Sequence, residues 1–479
     1  MTLATKRPAL VALLAAAAIN AACGDNPTAP KLDPGLTITA GAGTADSVQA
    51  TPAQALTVLV VGANGKPASG TPVTFQSVNL GQVGIPSMLA GPAAGGVFAP
   101  VITDTTDAEG VAAVRVRFGT VAGSGKLTVS VPSLGYQDTA RYTVTPGAPA
   151  RVVMAPRDTF VLMDASVTLR PSITDRLGNV RPDAPTLTAS AGVTVSGNTV
   201  TTPNFGSHRV RAEFPGLSPD SAAIVALPRG RIAGTTAAYV RTLVMMDLDG
   251  GNRTTVSLPA PISRLDWAPD GRIVAGAGEI SGKQTLYAVS STGQVTPLYP
   301  DSTTDSRGYP VFSGDGRYLF FLGRPAGGFS YSSRVWRANA DGTNPQPTSI
   351  VMEEIWGTAY GPSPDGSRVA YLNSSFNLSM SQATMLTESR MASWSWSPLG
   401  DLVAFNSNSV TGVVKPDGTG QRIFSSTFTG VGDQNIDWSG DGKYIVFRTS
   451  GSKMVILEVA TGARAVLPFP GETSLGTLK

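Results

Sequence analysis

The chain has 479 residues, a length that corresponds to about three ordinary domains. Hydrophobic residues make up 42% and charged residues only 14%, with 54 glycines and 36 prolines, so the composition excludes global disorder and favours short strands joined by turns. Lys6 and Arg7 carry two of the three net positive charges. The rest of the chain therefore lacks the concentrated basic surface of a nucleic-acid-binding protein, and we predict no nucleic-acid partner.

The chain contains one cysteine, Cys23, and one histidine, His208. A single cysteine excludes an internal disulfide and a cysteine-based metal site. His208 begins an alternating strand, and no local motif supplies the serine and carboxylate that a catalytic histidine needs. We therefore predict no catalytic residues, no metal and no cofactor, and expect a protein that is not an enzyme.

Residues 1–22 have the pattern of a signal peptide, with Lys6 and Arg7 ahead of an apolar stretch, 10–19, that is too short to span a bilayer. The segment resembles a bacterial lipoprotein signal, in which the cysteine after the cleavage point, here Cys23, receives lipid. Asn20 stands where that family has leucine. The resemblance implies an exported protein, anchored by lipid in the cell envelope at the periplasm or the outer-membrane surface. Ordinary cleavage to a soluble exported protein is the alternative.

Residues 23–34 are polar and contain proline, as expected of a tether. From about residue 35 the pattern alternates with period two, and Asn64-Gly65 lies between two apolar runs, which predicts a tight turn between strands. In Val111–Phe118 the alternation places Val114, Val116 and Phe118 on a buried face.

The span 35–146 resembles the immunoglobulin-like domains of invasin- and intimin-type bacterial proteins. The resemblance rests on three segments of the sequence, which are Asn64-Gly65-Lys66-Pro67, Gly70-Thr71-Pro72-Val73-Thr74-Phe75 and Thr106-Asp107-Ala108-Glu109-Gly110. It implies a β-sandwich that acts as a spacer or an adhesive stalk. Residues 150–228 are interpreted as a second, shorter domain of this kind, with a turn at 175–179.

Residues 229–479 contain a repeated segment in which an aromatic residue or proline is followed after two residues by Asp-Gly or Leu-Gly. The five copies end at Gly271, Gly316, Gly366, Gly400 and Gly442. A strand follows each copy, and most repeats then contain a second hairpin. An Asp249-Gly250 hairpin precedes them, so that six units of about 40–45 residues are expected, which is the size of four-stranded propeller blades.

The repeat resembles the blades of TolB-type β-propellers, which carry a Trp-Ser-Pro-Asp-Gly signature. The predicted fold class is therefore all-β, with two immunoglobulin-like β-sandwiches followed by a six-bladed β-propeller. For the first unit, residues 231–240 are interpreted as a degenerate inner pair of strands. Two neighbouring units depart from the pattern, because the outer hairpin at 376–389 is polar and Leu399 replaces the aspartate, and this part of the ring is expected to be distorted or specialised.

The repeated aspartates at the turns are interpreted as structural residues. A binding site is instead predicted at the rim formed by the loops that enter each innermost strand, where mixed charge and aromatic side chains suit a peptide or a glycan. The candidate residues are Arg264, Asp305, Arg307, Glu353, Glu354, Trp356, Tyr360, Glu388, Arg390, Asp433 and Gln434. An ordinary solvated rim is the alternative.

Three functional hypotheses remain open at this point. The first is a non-catalytic surface protein whose sandwiches extend a propeller that binds an envelope protein or a glycan. The second is an adhesin whose immunoglobulin-like domains bind while the propeller is structural. The third is a propeller hydrolase with paired carboxylates, for which Glu353 and Glu354 are the candidates.

Overall fold

The computed structural model describes residues 31–478, except for 80, 236–239, 269, 279–283, 300–303, 326–331, 354–359, 373–377, 381–382, 387–390, 408–409, 426–435, 450–452 and 470–475. All regular secondary structure in this part of the chain is β-strand, in agreement with the low charge and the high glycine and proline content. No helix among the described residues is long and apolar enough to cross a membrane. Among the described residues, 31–149 together with Thr174–Arg181 form one compact unit, and Ala150–Ile173 together with Pro182 onward form another.

The first sandwich contains nine strands. They are β1 (Gly35–Ala40), β2 (Ala45–Ser47), β3 (Leu56–Val61), β4 (Pro72–Ser77), β5 (Met88–Pro92), β6 (Val101–Thr105), β7 (Val111–Phe118), β8 (Gly123–Val131) and β9 (Tyr136–Thr145). One sheet has the order β1-β3-β7-β5 and the other has the order β2-β9-β8-β4-β6. Val114, Val116 and Phe118 are buried between the sheets, as the alternation in β7 predicted.

The Asn64-Gly65 turn is present and closes a short antiparallel pairing of Val61 with Pro67, but it does not pair β3 with β4. Gly65 has a φ of 71°, and its N–H donates to the carbonyl of Gly62 at 2.9 Å. β3 and β4, which this turn connects, belong to opposite sheets. The same holds for the turn at 106–110, between β6 and β7. Both turns therefore carry the chain from one sheet to the other, because β3 pairs with β1 and β7, and β7 pairs with β3 and β5.

The second sandwich also contains nine strands, most of them of three to five residues. They are β10 (Arg151–Val153), β11 (Asp158–Leu162), β12 (Ser166–Thr168), β13 (Ser172–Thr174), β14 (Thr186–Ala189), β15 (Thr194–Ser196), β16 (Thr199–Thr201), β17 (Gly206–Glu213) and β18 (Asp220–Leu227). They form sheets of order β11-β18-β17-β14, β12-β16-β15 and β10-β13. Leu169, Ile173, Val210 and Ile224 are among the residues of its core.

The remaining strands form six four-stranded sheets, which we number as blades 1 to 6. Blade 1 contains β19 (Arg231–Thr235), β20 (Thr242–Asp247) and β21 (Thr254–Ser257), and blade 2 contains β22 (Ile262–Trp267), β23 (Ile273–Gly278), β24 (Gln284–Val289) and β25 (Val295–Pro297). Blade 3 contains β26 (Thr304–Phe312), β27 (Tyr318–Pro325), β28 (Ser332–Asn339) and β29 (Gln346–Glu353), and blade 4 contains β30 (Tyr360–Pro362), β31 (Val369–Leu372), β32 (Leu378–Met380) and β33 (Ala383–Leu386). Blade 5 contains β34 (Met391–Trp396), β35 (Val403–Ser407), β36 (Thr411–Val414) and β37 (Arg422–Ser425), and blade 6 contains β38 (Ile436–Trp438), β39 (Tyr444–Arg448), β40 (Met454–Glu458) and β41 (Arg464–Val466), followed by β42 (Gly476–Leu478).

The ring is closed by a strand from the far end of the chain. β42 pairs antiparallel with β19, with Ala233 opposite Thr477, and takes the innermost position of blade 1. The prediction of an inner pair within 231–240 is therefore wrong, because Arg231–Thr235 forms the second strand of the blade. Pairing between the first and last parts of the propeller satisfies the backbone of an edge that an open ring would expose.

A buried apolar cluster lies at each of the six junctions between neighbouring blades. Each cluster contains residues from both of the blades that meet there. One pair for each junction, in ring order from blades 1 and 2 to blades 6 and 1, is Met245 and Trp267, Leu286 and Phe321, Phe320 and Tyr360, Ala370 and Trp394, Val413 and Trp438, and Met246 and Val446. Each four-stranded sheet thus buries both faces against its neighbours, which a single blade cannot do.

The two divergent blades keep the four-stranded arrangement. β32 and β33 pair in blade 4, although half of the polar hairpin at 376–389 lies outside the described residues. In blade 5 the turn at Leu399 and Gly400 also forms, with the N–H of Gly400 donating to the carbonyl of Ser397 at 2.9 Å. Leu399 is 67% exposed, and its side chain reaches towards Gly442 of blade 6. The described parts of these sheets contain local irregularities, with register shifts at Leu378 and Ser379 in blade 4 and at Thr411 and Gly412 in blade 5.

The second sandwich packs directly on the propeller. Phe205 meets the ring of Tyr444 edge-on, with the ring centroids 5.3 Å apart. Phe160 and Val225 pack with Leu227 against the buried cluster between blades 6 and 1. Aromatic and aliphatic burial of this kind joins the second sandwich to the propeller as one compact unit.

Candidate functional site

A cavity of about 310 Å³ lies where the innermost strands of blades 2 to 6 end and the first hairpin turns begin. Each of these five blades contributes to its wall, with residues from β22, β26, β30, β34 and β38 and from the turns that follow them. This volume lies at the lower end of the range for small-molecule sites.

One position of the repeat determines the chemistry of the cavity. The residue immediately before the aromatic residue or proline lines the cavity in all five blades, and it is Asp266, Val311, Gly361, Ser395 or Asp437. Successive side chains of a strand point to opposite sides. The next residue, such as Trp267 or Trp438, therefore packs into a junction between blades.

Asp266 joins blade 2 to blade 3. Its Oδ2 accepts a hydrogen bond from the backbone N–H of Phe312 at 2.7 Å, and its Oδ1 accepts from the N–H of Trp267 at 2.8 Å. Burial raises the pKa of Asp266 well above its usual range, and the nearby charge of Asp437 acts in the same direction. The two N–H groups and Arg264 oppose this rise. Both carboxyl groups line the same cavity, where the charge of Asp437 disfavours ionisation of Asp266.

Asp437 occupies the matching position in blade 6. Its Oδ1 accepts from the N–H of Trp438 at 2.9 Å and from the hydroxyl of Ser395 at 3.3 Å. The indole N–H of Trp438 in turn donates to the carbonyl of Ser395 at 2.9 Å. Asp437 is thereby held between blades 5 and 6.

Blade 5 provides an aromatic wall. Trp394 and Trp396 line the cavity and are 3% and 8% exposed. Neither indole Nε1 has a hydrogen-bond partner among the described residues. Gly361 of blade 4 lies against Trp394, and a Cβ atom at this glycine would come within 2.9 Å of the ring. Close approach of the two blades here requires the absence of a side chain.

Two residues of the predicted rim line this cavity, namely Arg264 and Tyr360. Tyr360 is buried, and its hydroxyl donates to the carbonyl of Tyr309 at 2.5 Å. Burial raises the pKa of Tyr360, so the phenol stays protonated. Tyr360 thus connects blades 3 and 4 from within the wall.

The described structure gives no side-chain position for the other predicted rim residues. Asp305, Arg307 and Glu353 lie in β26 and β29, where their side chains are not described. Six further candidates, and the predicted lipid-attachment residue Cys23, lie outside the described residues; the six are Glu354, Trp356, Glu388, Arg390, Asp433 and Gln434. The predicted rim lies at the start of the innermost strands, whereas the cavity lies at their ends.

The aspartates of the repeated turns have a structural role. Asp315 Oδ1 accepts from the hydroxyl of Ser313 at 2.7 Å and from the N–H of Arg317 at 3.0 Å. Asp365 makes the equivalent bonds, and those from Ser363 and Ser367 hold its pKa well below its usual range. These carboxylates fix the turns that bound the cavity.

Asp266 and Asp437 belong to the repeat but were not among the residues predicted for the site. The signal was present, because a carboxylate directly before tryptophan occurs in two repeats, at a position where the others have Val, Gly or Ser. In both repeats this carboxylate lines the cavity. No group of three or more His, Cys, Asp or Glu residues that could hold a metal occurs among the residues that the structure describes.

The fold and the cavity define an all-β protein with two sandwiches and a six-bladed propeller that carries a small acidic and aromatic site. No protein-family model and no curated protein sequence matches the chain.

Several solved structures are similar to part of it. TolB from Acinetobacter baumannii is 16% identical, with a TM-score of 0.40 over 61% of this chain and 82% of that one. A chain of a nidogen–laminin complex is 10% identical, with a TM-score of 0.40 over 52% and 98%. A functionally unknown protein from Desulfotomaculum acetoxidans is 13% identical, with a TM-score of 0.34 over 55% and 94%. At these levels of similarity the function has to be argued from this chain's own residues.

Proposed function

We propose that the chain is an exported envelope protein whose propeller binds a ligand in the cavity of blades 2 to 6, without catalysing a reaction. The observation that supports this function is the cavity itself, because it combines two carboxylates with aromatic walls inside a ring of stable sheets. Small-molecule and peptide sites have this character, with an apolar lining and few polar groups. The ligand belongs to an envelope protein or a glycan.

The N-terminal region serves as the anchor in this proposal. Residues 1–22 direct export, Cys23 carries lipid, and residues 23–34 form the tether. The sandwiches at 35–146 and 150–228 then act as spacers between the membrane and the propeller at 229–479. Mass spectrometry of the mature protein tests the anchor: a lipid mass on Cys23 that is lost in Cys23→Ser is expected, and an unmodified Cys23 contradicts it.

Binding in the cavity is tested by reducing its volume. Val311→Phe adds a ring to the cavity wall, whereas Val466→Phe changes a half-exposed residue of blade 6 outside the cavity lining and is the matched control. Mature wild-type protein is expected to retain a defined component of detergent-solubilised envelope extract, and Val311→Phe is expected to lose it. Equal retention by Val311→Phe and wild type contradicts a ligand site in this cavity.

A hydrolase is the second candidate, and the Asp266–Asp437 pair specifically favours it. A carboxylic acid with a raised pKa beside a second carboxylate can act as a general acid. Turnover of an envelope glycan that is abolished by both Asp266→Asn and Asp437→Asn would establish this function and replace the binding role.

An adhesin remains the third candidate, supported by exposed apolar residues in the first sandwich. Val83 and Val97, in the segments flanking β5, are 99% and 85% exposed. Exposed apolar side chains of this kind can mark an interaction surface. Loss of cell attachment in Val83→Ser/Val97→Ser, with attachment kept in Val311→Phe, would favour this function.

A further inference from the structure

Blade 5 departs from the repeat at one exposed residue of its first turn. The turns of blades 3, 4 and 6 have an aspartate at this position, and the Oδ1 atoms of Asp315, Asp365 and Asp441 each accept a hydrogen bond from the N–H two residues later, at 3.0–3.1 Å. Blade 5 has Leu399, which cannot accept a hydrogen bond and is 67% exposed. Its turn forms nevertheless through a backbone hydrogen bond. An exposed leucine thus replaces a carboxylate that stabilises the other turns, which indicates a role other than folding.

Leu399 lies beside two turns that line the cavity. Its own turn contributes Ser397 and Pro398 to the lining, and the turn of blade 6 contributes Gly440. The Leu399 side chain lies over the turn of blade 6, because an ideal Cβ at Gly442 would be 3.0 Å from both its Cγ and its Cδ1. Leu399 therefore borders the cavity at its turn end, between blades 5 and 6.

The turns differ in how closely they pack at this end of the cavity. An ideal Cβ at Gly314 of blade 3 would lie 3.0 Å from Cβ of Pro364 and 3.2 Å from Cα of Pro398, so the turns of blades 3, 4 and 5 are in contact. A Cβ at Gly440 of blade 6 would meet nothing within 4 Å, and Gly440 is exposed. Space therefore remains at the turn of blade 6. A ligand that extends out of the cavity there would pass the side chain of Leu399.

The polar groups of the cavity lie on the strands, ahead of this apolar border. Asp266 accepts two backbone hydrogen bonds, from Phe312 and Trp267, whereas a carboxylate offers about four acceptor positions. Hydroxyl groups of a ligand can use the positions that remain. Aromatic walls with few polar groups suit one sugar ring of a glycan. The cavity thus offers a polar interior and an apolar residue at its border.

We propose that Leu399 determines the ligand specificity of the cavity, which binds a glycoside: the sugar occupies the cavity, and an apolar substituent leaves it past Gly440 and packs on Leu399. This inference rests on the proposed binding function and limits it to an amphiphilic glycan. The sugar hydroxyls donate to Asp266, and the substituent is removed from water on the leucine side chain. Burial of about two methylene groups there would tighten binding about tenfold.

Isothermal titration with defined glycosides tests the ligand class. The protein is the full mature chain with Cys23→Ser, which removes the proposed lipid and avoids detergent. Hexyl and methyl β-glycosides of glucose and of N-acetylglucosamine carry the same sugar with a long or a short substituent, and hexanol is the apolar control. At least one hexyl glycoside is expected to bind about tenfold more tightly than its methyl counterpart, and hexanol is expected not to bind.

Variants of Leu399 test its role. Leu399→Asp restores the aspartate of the other turns, so it should bind hexyl and methyl glycosides equally while its urea unfolding midpoint stays at or above that of the wild type. A structural role for the leucine would instead lower the midpoint. Leu399→Met keeps an apolar side chain and should preserve the tenfold difference. Val466→Asp places the same charge on a half-exposed residue of blade 6 outside the cavity lining and is the matched control.

The opening at blade 6 is tested separately. Gly440→Phe should weaken binding of both hexyl and methyl glycosides at least tenfold, and Gly440→Ala should leave it unchanged. Circular dichroism checks that each variant is folded, and if Leu399→Asp is not, Leu399→Ser provides the same comparison. Equal binding by Gly440→Phe and the wild type contradicts this path out of the cavity.

A tenfold difference that survives Leu399→Asp, or that is lost in Val466→Asp, overturns the role of Leu399. Equal binding of hexyl and methyl glycosides by the wild type, absence of glycoside binding, or hexanol binding as tight as that of a hexyl glycoside overturns the ligand class. In these cases envelope retention that is lost in Val311→Phe still supports the proposed function. Envelope retention that persists in Val311→Phe overturns that function as well.

Discussion

Replacing Gly361 by alanine should separate blades 4 and 5. An ideal Cβ at this position lies 2.9 Å from both Cζ3 and Cη2 of Trp394. Carbon atoms pack favourably at about 3.5 Å or more, so the strand and the ring must move apart by roughly 0.6 Å. Trp394 is 3% exposed and belongs to the cluster with Val403 and Phe405, so the indole cannot turn into solvent.

Overpacking of a filled core costs about 1–3 kcal/mol, and we expect this loss in the free energy of unfolding of the propeller. All six tryptophans lie between residues 267 and 438, so tryptophan fluorescence during urea unfolding reports on this part of the chain. The same measurement on Gly440→Ala is the control. A Cβ at Gly440 meets nothing within 4 Å, and a change of no more than about 0.5 kcal/mol is expected there.

A double-mutant cycle identifies the cause of the destabilisation. Trp394→Phe removes the outer end of the ring that the new methyl group would meet. In that background Gly361→Ala should cost about 0.5 kcal/mol or less, because the two changes compensate each other. An unchanged cost in the Trp394→Phe background, or a Gly361→Ala protein as stable as the wild type, would refute the packing argument.

Three further predictions concern other parts of the molecule. In the first unit, burial alone would raise the pKa of Asp175, but hydrogen bonds from the backbone N–H groups of Gly147, Leu177 and Asn179 and from the Asn179 side chain hold it below its usual range. Asp175→Ala should therefore destabilise this unit by about 2–4 kcal/mol, measured by calorimetry. In the wild type, the stabilisation by the Asp175 carboxylate should disappear as the pH falls through its lowered pKa. A melting profile of Asp175→Ala identical to that of the wild type would contradict this prediction. The raised pKa of Asp266 should have the opposite effect on stability, because the folded state binds the proton of this carboxyl more tightly than the unfolded state does. The free energy of unfolding of the propeller should therefore fall as the pH rises above about 4. In urea unfolding followed across pH, Asp266→Asn should make this pH dependence weaker. Phe205→Ala removes the edge-on contact with Tyr444 and should lower the free energy of unfolding, followed by tryptophan fluorescence, by about 1–3 kcal/mol. An unchanged free energy of unfolding would mean that the second sandwich does not stabilise the propeller.

The junction with the second sandwich also guides the choice of fragments. Leu227 and Phe205 pack against the propeller cluster, so a cut at residue 228 would expose them to water. Compactness divides the chain after Pro149 instead, with Thr174–Arg181 assigned to the first unit. Full-length mature protein with point substitutions is therefore the better material for binding experiments.

Local chemistry explains what the sequence predicted well. The Asp-Gly turns are fixed by contacts within five residues, as the Ser313–Asp315–Arg317 bonds illustrate, so the repeat and its blades could be read from the sequence. The buried face of β7 follows in the same way from period-two alternation. Six blades and an all-β fold therefore depend on patterns that each segment carries by itself.

Long-range pairing determined what the sequence did not reveal. β42 completes blade 1 from the opposite end of the propeller, and the Asn64-Gly65 turn joins strands of different sheets. Asp266 and Asp437 come from separate repeats, and only closure of the ring places both in the same cavity. The sequence by itself determined the turns, the strands and the number of blades, because these depend on neighbouring residues. The tertiary structure alone decided where the ring closes and which side chains share the cavity, because that depends on partners far apart along the chain.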